Sequence, residues 1–146
     1  MKKWRLTSLN EESTLQAFFE IINKTAKSVR YIHYNGMGFD IPFLIVRAAH
    51  YGLQINNWNF KDLQRFSYKS PIDIMMFLCN WNSYNAVSMD IACRSFGIPS
   101  PKEGKIKGDT VSKAYMEGNI PGVEDYVMRD VEATHQLYEK IKQYIS

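Results

Sequence analysis

Cysteine is scarce: Cys79 and Cys93 are the only two in 146 residues. That excludes a disulfide-stapled scaffold and makes a reducing, cytoplasmic compartment the expectation. No apolar run approaches the roughly 20 residues that a bilayer-spanning helix needs. The opening Met1-Lys2-Lys3-Trp4-Arg5-Leu6-Thr7 has basic residues but no apolar stretch behind them, so no secretory signal is read. Neither sign of charge dominates, since 18 Lys and Arg against 15 Asp and Glu leave a formal +3. Such a balance is compatible with nucleic acid but too weak to imply it. No internal repeat, low-complexity tract or Pro/Gly/Ser-rich linker divides the chain. What is there, 45% hydrophobic and 23% charged residues, is the composition of a folded globular chain. Its length suits one domain over residues 1–146 rather than two.

Local patterns give a succession of short elements. Trp4 and Leu6 alternate with polar neighbours across residues 3–8, which predicts a short strand. Asn10 caps a helix whose first turn carries Glu11 and Glu12, acids favoured at the positive end of the dipole. Leu15, Phe18, Phe19 and Ile22 follow at i, i+3, i+4 and i+7, an amphipathic stripe. The β-prone segment Val29-Arg30-Tyr31-Ile32-His33-Tyr34 runs into Asn35-Gly36-Met37-Gly38, a turn with two glycines. A second helix is expected beside Asp40, with Pro42 in its first turn and a stop near Gly52. Residues 54–70 are polar and give no clear pattern, and Ile72-Asp73-Ile74-Met75-Met76-Phe77-Leu78 reads as a buried strand or a short helix. Ser88 caps a helix through Phe96 that ends at Gly97, and residues 99–108 form a loop with Lys102, Lys105 and Lys107. Asp109 or Thr110 opens a short helix to Glu117. The last helix is expected from about Gly122 to Tyr144, with Val127, Val131, Thr134, Tyr138, Ile141 and Ile145 on one face. Strands mixed with helices predict an α/β or α+β fold.

Two constellations carry chemistry. In Tyr34-Asn35-Gly36-Met37-Gly38-Phe39-Asp40-Ile41-Pro42-Phe43-Leu44 a strand ends, the backbone turns and a carboxylate emerges at a helix start. Asp40 is there either as an N-cap with Phe39 as a hydrophobic staple, or as a rigidly held oxygen ligand for a hard divalent cation. In Glu124-Asp125-Tyr126-Val127-Met128-Arg129-Asp130-Val131-Glu132-Ala133-Thr134, Tyr126 and Asp130 stand four apart and share a helix face beside the apolar stripe. A charge at the edge of a core needs a partner or an ion, and the alternative to an ion is a nearby basic group.

In this order the two constellations resemble the second and third motifs of the DnaQ-like, or DEDD, 3'-5' exonucleases, and most closely the group related to the proofreading exonuclease domain of family-B DNA polymerases. The likeness continues through Pro71-Ile72-Asp73-Ile74 and Gly97-Ile98-Pro99 with Lys102, and runs from about residue 10 to residue 142. It implies an α/β, ribonuclease H-like three-layer fold with a mixed sheet, and hydrolysis of DNA phosphodiester bonds from 3' ends. Such enzymes hold two divalent ions, Mg²⁺ or Mn²⁺, with four carboxylates for in-line displacement at phosphorus. By resemblance Asp40 and Asp130 are metal ligands and catalytic. Tyr126, a poor base at neutral pH with an ordinary pKa near 10, orients the attacking water. The tyrosine marks the DEDDy branch: the histidine of the other branch would stand at Asp125, and His135 is expected on the helix surface. Asn35, Phe39, Lys102, Lys105 and Lys107 are the substrate-binding candidates, the lysines toward phosphates, against a simple solvated loop. Asp73 is an auxiliary acid or a buried aspartate satisfied by backbone donors.

The first motif of that family, an Asp-x-Glu pair on the central strand, has no counterpart: Glu11 is the earliest acid, and the only Asp-x-Glu is Asp130-Val131-Glu132. Residues 3–8 then look like the third strand, and a fold truncated at its N-terminus, short of its first two strands, is expected. Three readings compete. The first is a DEDDy exonuclease acting on single-stranded DNA or a DNA 3' end, inactive or weak as this chain. The second is a catalytically dead module that binds nucleic acid or a DNA polymerase. The third is a structural α/β domain with accidental motifs. An unpaired sheet edge in a truncated fold is expected to favour a homo-oligomer, and no membrane role is expected.

Overall fold

The computed structural model describes residues 10–67, 69–104 and 106–145. The expected strand at residues 3–8 and the candidate Lys105 lie outside the described residues. The chain divides into two units, Met1–Asp73 and Ile74–Ser146.

The first unit begins with α1, Glu11–Lys24, capped as expected by the Asn10 side chain, which accepts from the Ser13 amide at 2.9 Å. Leu15, Phe19 and Ile22 are its buried residues. They join Ile41 and Ala48 of α2, Asp40–His50, and Phe60 of α3, Trp58–Lys61, in one core. Phe60 is 2% exposed and takes edge-on ring contacts from Phe18, Phe19 and Tyr31 at centroid distances of 5.7, 6.0 and 5.4 Å. Segment 54–70, opaque in the sequence, thus supplies a central core ring. Asn57 is buried just before it, and its side-chain amide donates to the Ile22 and Thr25 carbonyls and to the Tyr31 hydroxyl, so its burial leaves those donors matched. At the rim, Arg47 grips both Glu11 oxygens at 2.6 Å and ties α2 to α1.

The β-prone stretch narrows to β1, Ile32–His33, which pairs in parallel with β2, Ile72–Asp73, in the register Ile32 to Ile72 and His33 to Asp73. The ambiguous segment 72–78 is both of its alternatives in turn, two residues of strand and then α4, Ile74–Leu78. Among the described residues the result is helix-rich with a small parallel sheet, an α/β arrangement.

In the second unit α4 is followed by α5, Met89–Ser95, with Ser88 as its N-cap, then α6, Val111–Met116, and α7, Ile120–Ile141. A 3₁₀ turn at Pro101–Glu103, which carries Lys102, lies within the basic loop. The long helix packs against α4, α5 and α6, and the expected face holds at and just past its C-terminal end, where Ile141 and Ile145 are buried, but not in its first half. Val127 and Val131 are 48% and 44% exposed, whereas Ala133, Leu137 and Ile141 are buried. Hydrophobicity drew the stripe through the β-branched valines. The face that meets neighbours instead runs through small Ala133, where helices approach closely, and is offset by about one residue's turn. Tyr126 and Asp130 continue this buried stripe toward the N-terminus, at steps of four, three and four from Ala133 and Leu137, so both belong to the packed face itself. Cys79 and Cys93 are buried free thiols. Among the described residues no helix is long and apolar enough to cross a membrane.

Candidate active site

In the first unit the site is a turn between β1 and α2. Asn35 adopts a left-handed backbone, φ 63°. Gly36 lies against His33 so closely that an added Cβ would fall 2.5 Å from the His33 Cβ, a clash no side-chain rotation relieves. The turn closes on itself through Phe39 N–H to the Asn35 carbonyl, 3.1 Å, and Ile41 N–H to the Gly36 carbonyl, 2.8 Å. Asp73, 3% exposed on β2, accepts from the Asn35 amide at 2.9 Å and the Met37 amide at 3.0 Å, one donor to each oxygen. His33 has its Nε2 buried without a hydrogen-bond partner, and burial holds the imidazole below its ordinary pKa, in the neutral form.

Asp40 is the first residue of α2 rather than its cap; the cap position is Phe39, whose side chain has no capping bond. Surrounding protein pushes the Asp40 carboxyl above its ordinary pKa; its own backbone amide opposes this, and the Asp73 charge adds to it. The carboxylate is therefore short of positive compensation. Phe39, 65% exposed, stacks nearly parallel on Phe43, 54% exposed, with centroids 6.4 Å apart. Asn35 and Phe39 thus flank Asp40 on the turn.

In the second unit Tyr126 and Asp130 stand one turn apart on α7, and the phenol and the carboxylate influence each other's titration. Burial raises the Asp130 pKa, with the Tyr126 hydrogen bond and Arg129 opposing, and burial followed by the Asp130 charge raises that of Tyr126. The phenol therefore stays protonated at neutral pH. Arg129, next to Asp130, was not singled out by sequence reasoning. Its guanidinium lies flat over Gly104, where a Cβ would come within 2.0 Å. It donates to the Pro101 carbonyl at 3.2 Å and the Ile106 carbonyl at 3.4 Å and pairs with Asp125. Asp125, at the alternative histidine position, is therefore engaged in holding Arg129. Arg129 pins the loop that carries Lys102 and Lys107, both exposed, onto α7. The Tyr126 hydroxyl lies 3.4 Å from where a Cβ on Gly108 would stand, at the other end of that loop. Nothing local in the sequence signals this staple, because its partners are 23 and 28 residues away. His135 is exposed on α7.

The first unit thus brings together Asn35, Phe39, Asp40 and Asp73, and the second Lys102, Lys107, Tyr126 and Asp130. The oxygen donors Asp40 and Asp130 suit a hard divalent cation in type. In number they fall short: among the described residues no group of three or more His, Cys, Asp or Glu is arranged to hold a metal ion.

No solved structure matches the chain. A protein family does, across residues 2–145, a span that takes in both constellations. The chain belongs to the family described as predicted 3'-5' exonucleases related to the exonuclease domain of PolB.

Proposed function

We propose that the chain carries the second- and third-motif half of a DEDDy 3'-5' exonuclease site that acts on DNA 3' ends. The observation that supports this reading is the Tyr126–Asp130 pair: a part-buried carboxylate with a phenol one turn away on α7, beside an Arg129 whose ion pair is made with Asp125. Asp40 and Asp130 would hold divalent metal, with other ligands supplied from outside the described pair. When bound, such ions polarise the phosphate and supply a nucleophile at neutral pH. The chain's own residues do the rest. Tyr126 orients a water through its hydroxyl, Lys102 and Lys107 meet backbone phosphates on a loop held by Arg129, and Asn35 and Phe39 contact the terminal nucleotide. The reading carries a ribonuclease H-like sheet to which β1 and β2 contribute, and a reducing, cytoplasmic setting that suits two free thiols.

The second reading, a non-catalytic module for single-stranded DNA or a polymerase, is favoured by one fact: the 146 residues contain no Asp-x-Glu apart from Asp130-Val131-Glu132. A 5'-labelled single-stranded DNA separates the two. The 146-residue chain is expected to cleave little or not at all. The same chain extended by a strand bearing Asp-x-Glu is expected to shorten the DNA stepwise from the 3' end with Mg²⁺ or Mn²⁺, and not with EDTA. Robust metal-dependent digestion by the 146-residue chain would contradict the need for a further carboxylate pair. An extended chain that binds the DNA and leaves it intact in every metal favours the binding module.

A further inference from the structure

Asp73 stands in register with His33 across the parallel ladder, almost wholly buried, and spends both carboxylate oxygens on backbone amides of the turn that leads to Asp40. A buried carboxylate is costly unless well compensated, and charge-assisted bonds to N–H groups are the strong kind. The bonds are placed to transmit. Asp73 fixes the amides of Asn35 and Met37. The carbonyls of Asn35 and Gly36 then receive the amides of Phe39 and Ile41, which flank Asp40 on either side in the chain. The turn needs such fastening, since Asn35 sits in a left-handed conformation unusual for a residue with a side chain. Gly36 meanwhile leaves no slack against His33.

We infer that Asp73 is a positioning residue: it acts through Asp40, by clamping the 35–37 turn from β2, and is not an auxiliary acid. The inference rests on the reading of Asp40 as a metal ligand. Groups that orient a ligand from behind are commonly worth about 10–100-fold in metal affinity.

The test uses Asp73→Asn, which keeps the shape but turns an amide NH₂ toward one of the two donors. Amide hydrogen exchange and Mn²⁺-induced broadening of backbone signals are measured on the 146-residue chain and the variant. Exchange at Asn35 and Met37 is expected to rise about tenfold, the effect of losing roughly one such bond, while the amides of Phe19 and Ile22 in α1 keep their protection and report an intact core. The Mn²⁺ concentration that half-broadens the Asp40 amide is expected to rise about tenfold or more. Unchanged exchange at Asn35 and Met37 overturns the clamp. Faster exchange with unchanged Mn²⁺ response at Asp40 overturns the positioning role and leaves a purely structural aspartate. A wild-type chain whose Asp40 amide Mn²⁺ never broadens overturns the metal reading and this inference with it, an outcome told apart because it appears before any substitution. If the α1 amides lose protection in Asp73→Asn, Asp73→Glu, which retains two acceptors, takes its place: recovery of the Asp40 response there supports the inference, and a response as weak as that of Asp73→Asn overturns it.

Discussion

Replacing Asp130 with alanine in the chain extended by an Asp-x-Glu strand is expected to lower metal-dependent 3'-end cleavage by more than about 100-fold, beyond the usual effect of losing only a ligand's supporting partner. The carboxylate is half-buried on α7, one turn from Tyr126, so its loss removes an oxygen ligand and the acid that the phenol faces. Stability is expected to move the other way. Burial raises the Asp130 pKa in the folded chain, so the folded state binds the proton more tightly than the unfolded one. This group's stabilising contribution is present below its unfolded pKa and is lost as pH rises through the folded value. At neutral pH without divalent ions the charge is a burden, and Asp130→Asn, which removes the charge at nearly constant shape, should raise stability by about 0.5 kcal/mol, the scale of changes outside a tight core. The gain should vanish in acid below the carboxylate range. A residue that lowers stability and is required for activity marks a functional site rather than a structural ion pair. Cleavage undiminished by Asp130→Ala would remove Asp130 from the site.

The second large effect concerns the first unit. Phe60→Ala is expected to cost about 3–5 kcal/mol, a large part of the roughly 5–15 kcal/mol typical of a domain. The ring is 2% exposed and is met edge-on by three other rings. Each such pair adds about 0.5–1.5 kcal/mol beyond area burial, and the cavity would open where α1, α3 and the start of β1 meet. Phe60→Leu, which keeps apolar volume but loses ring geometry, should cost less than half as much. Urea unfolding of the three proteins measures this. A loss below about 1 kcal/mol for Phe60→Ala, short of the usual cost of emptying a core site, would mean that the core is centred elsewhere.

These two predictions differ in how far the sequence announced them. The placement of Asp40 at a helix start and of Tyr126 and Asp130 a turn apart on one helix was legible because the signals are local: a glycine turn before a carboxylate, and a four-residue spacing. The caps of α1 and α5 were legible for the same reason, since Asn10 and Ser88 bond amides three residues on. Phe60 was not, because its burial is made largely by residues far away in the chain, and its own segment is polar with a helix of only four residues. The face of α7 was legible at Ile141 and Ile145 but not in the first half of the helix, where valine outweighs alanine on a hydrophobic scale and yet Val127 and Val131 are exposed and Ala133 is buried. Residues 72–78 could not be assigned to strand or helix because the chain changes from one to the other at Asp73. Asp73 was legible as a buried aspartate satisfied by backbone donors, though not which donors, and the role of Arg129 was hidden, because a side chain bonded to backbone 23–38 residues distant leaves no periodic trace.

Asp40 and Asp130 as oxygen ligands for a divalent ion are the centre of the proposed function. The most direct test is a Mn²⁺ titration of the 146-residue chain, followed by broadening of assigned backbone amides. Signals around Asp40 and around Asp130 are expected to broaden first, and Asp130→Asn is expected to abolish the second set while sparing the first. Broadening confined to exposed acids such as Glu20 and Glu117, with Asp40 and Asp130 untouched, would contradict the assignment.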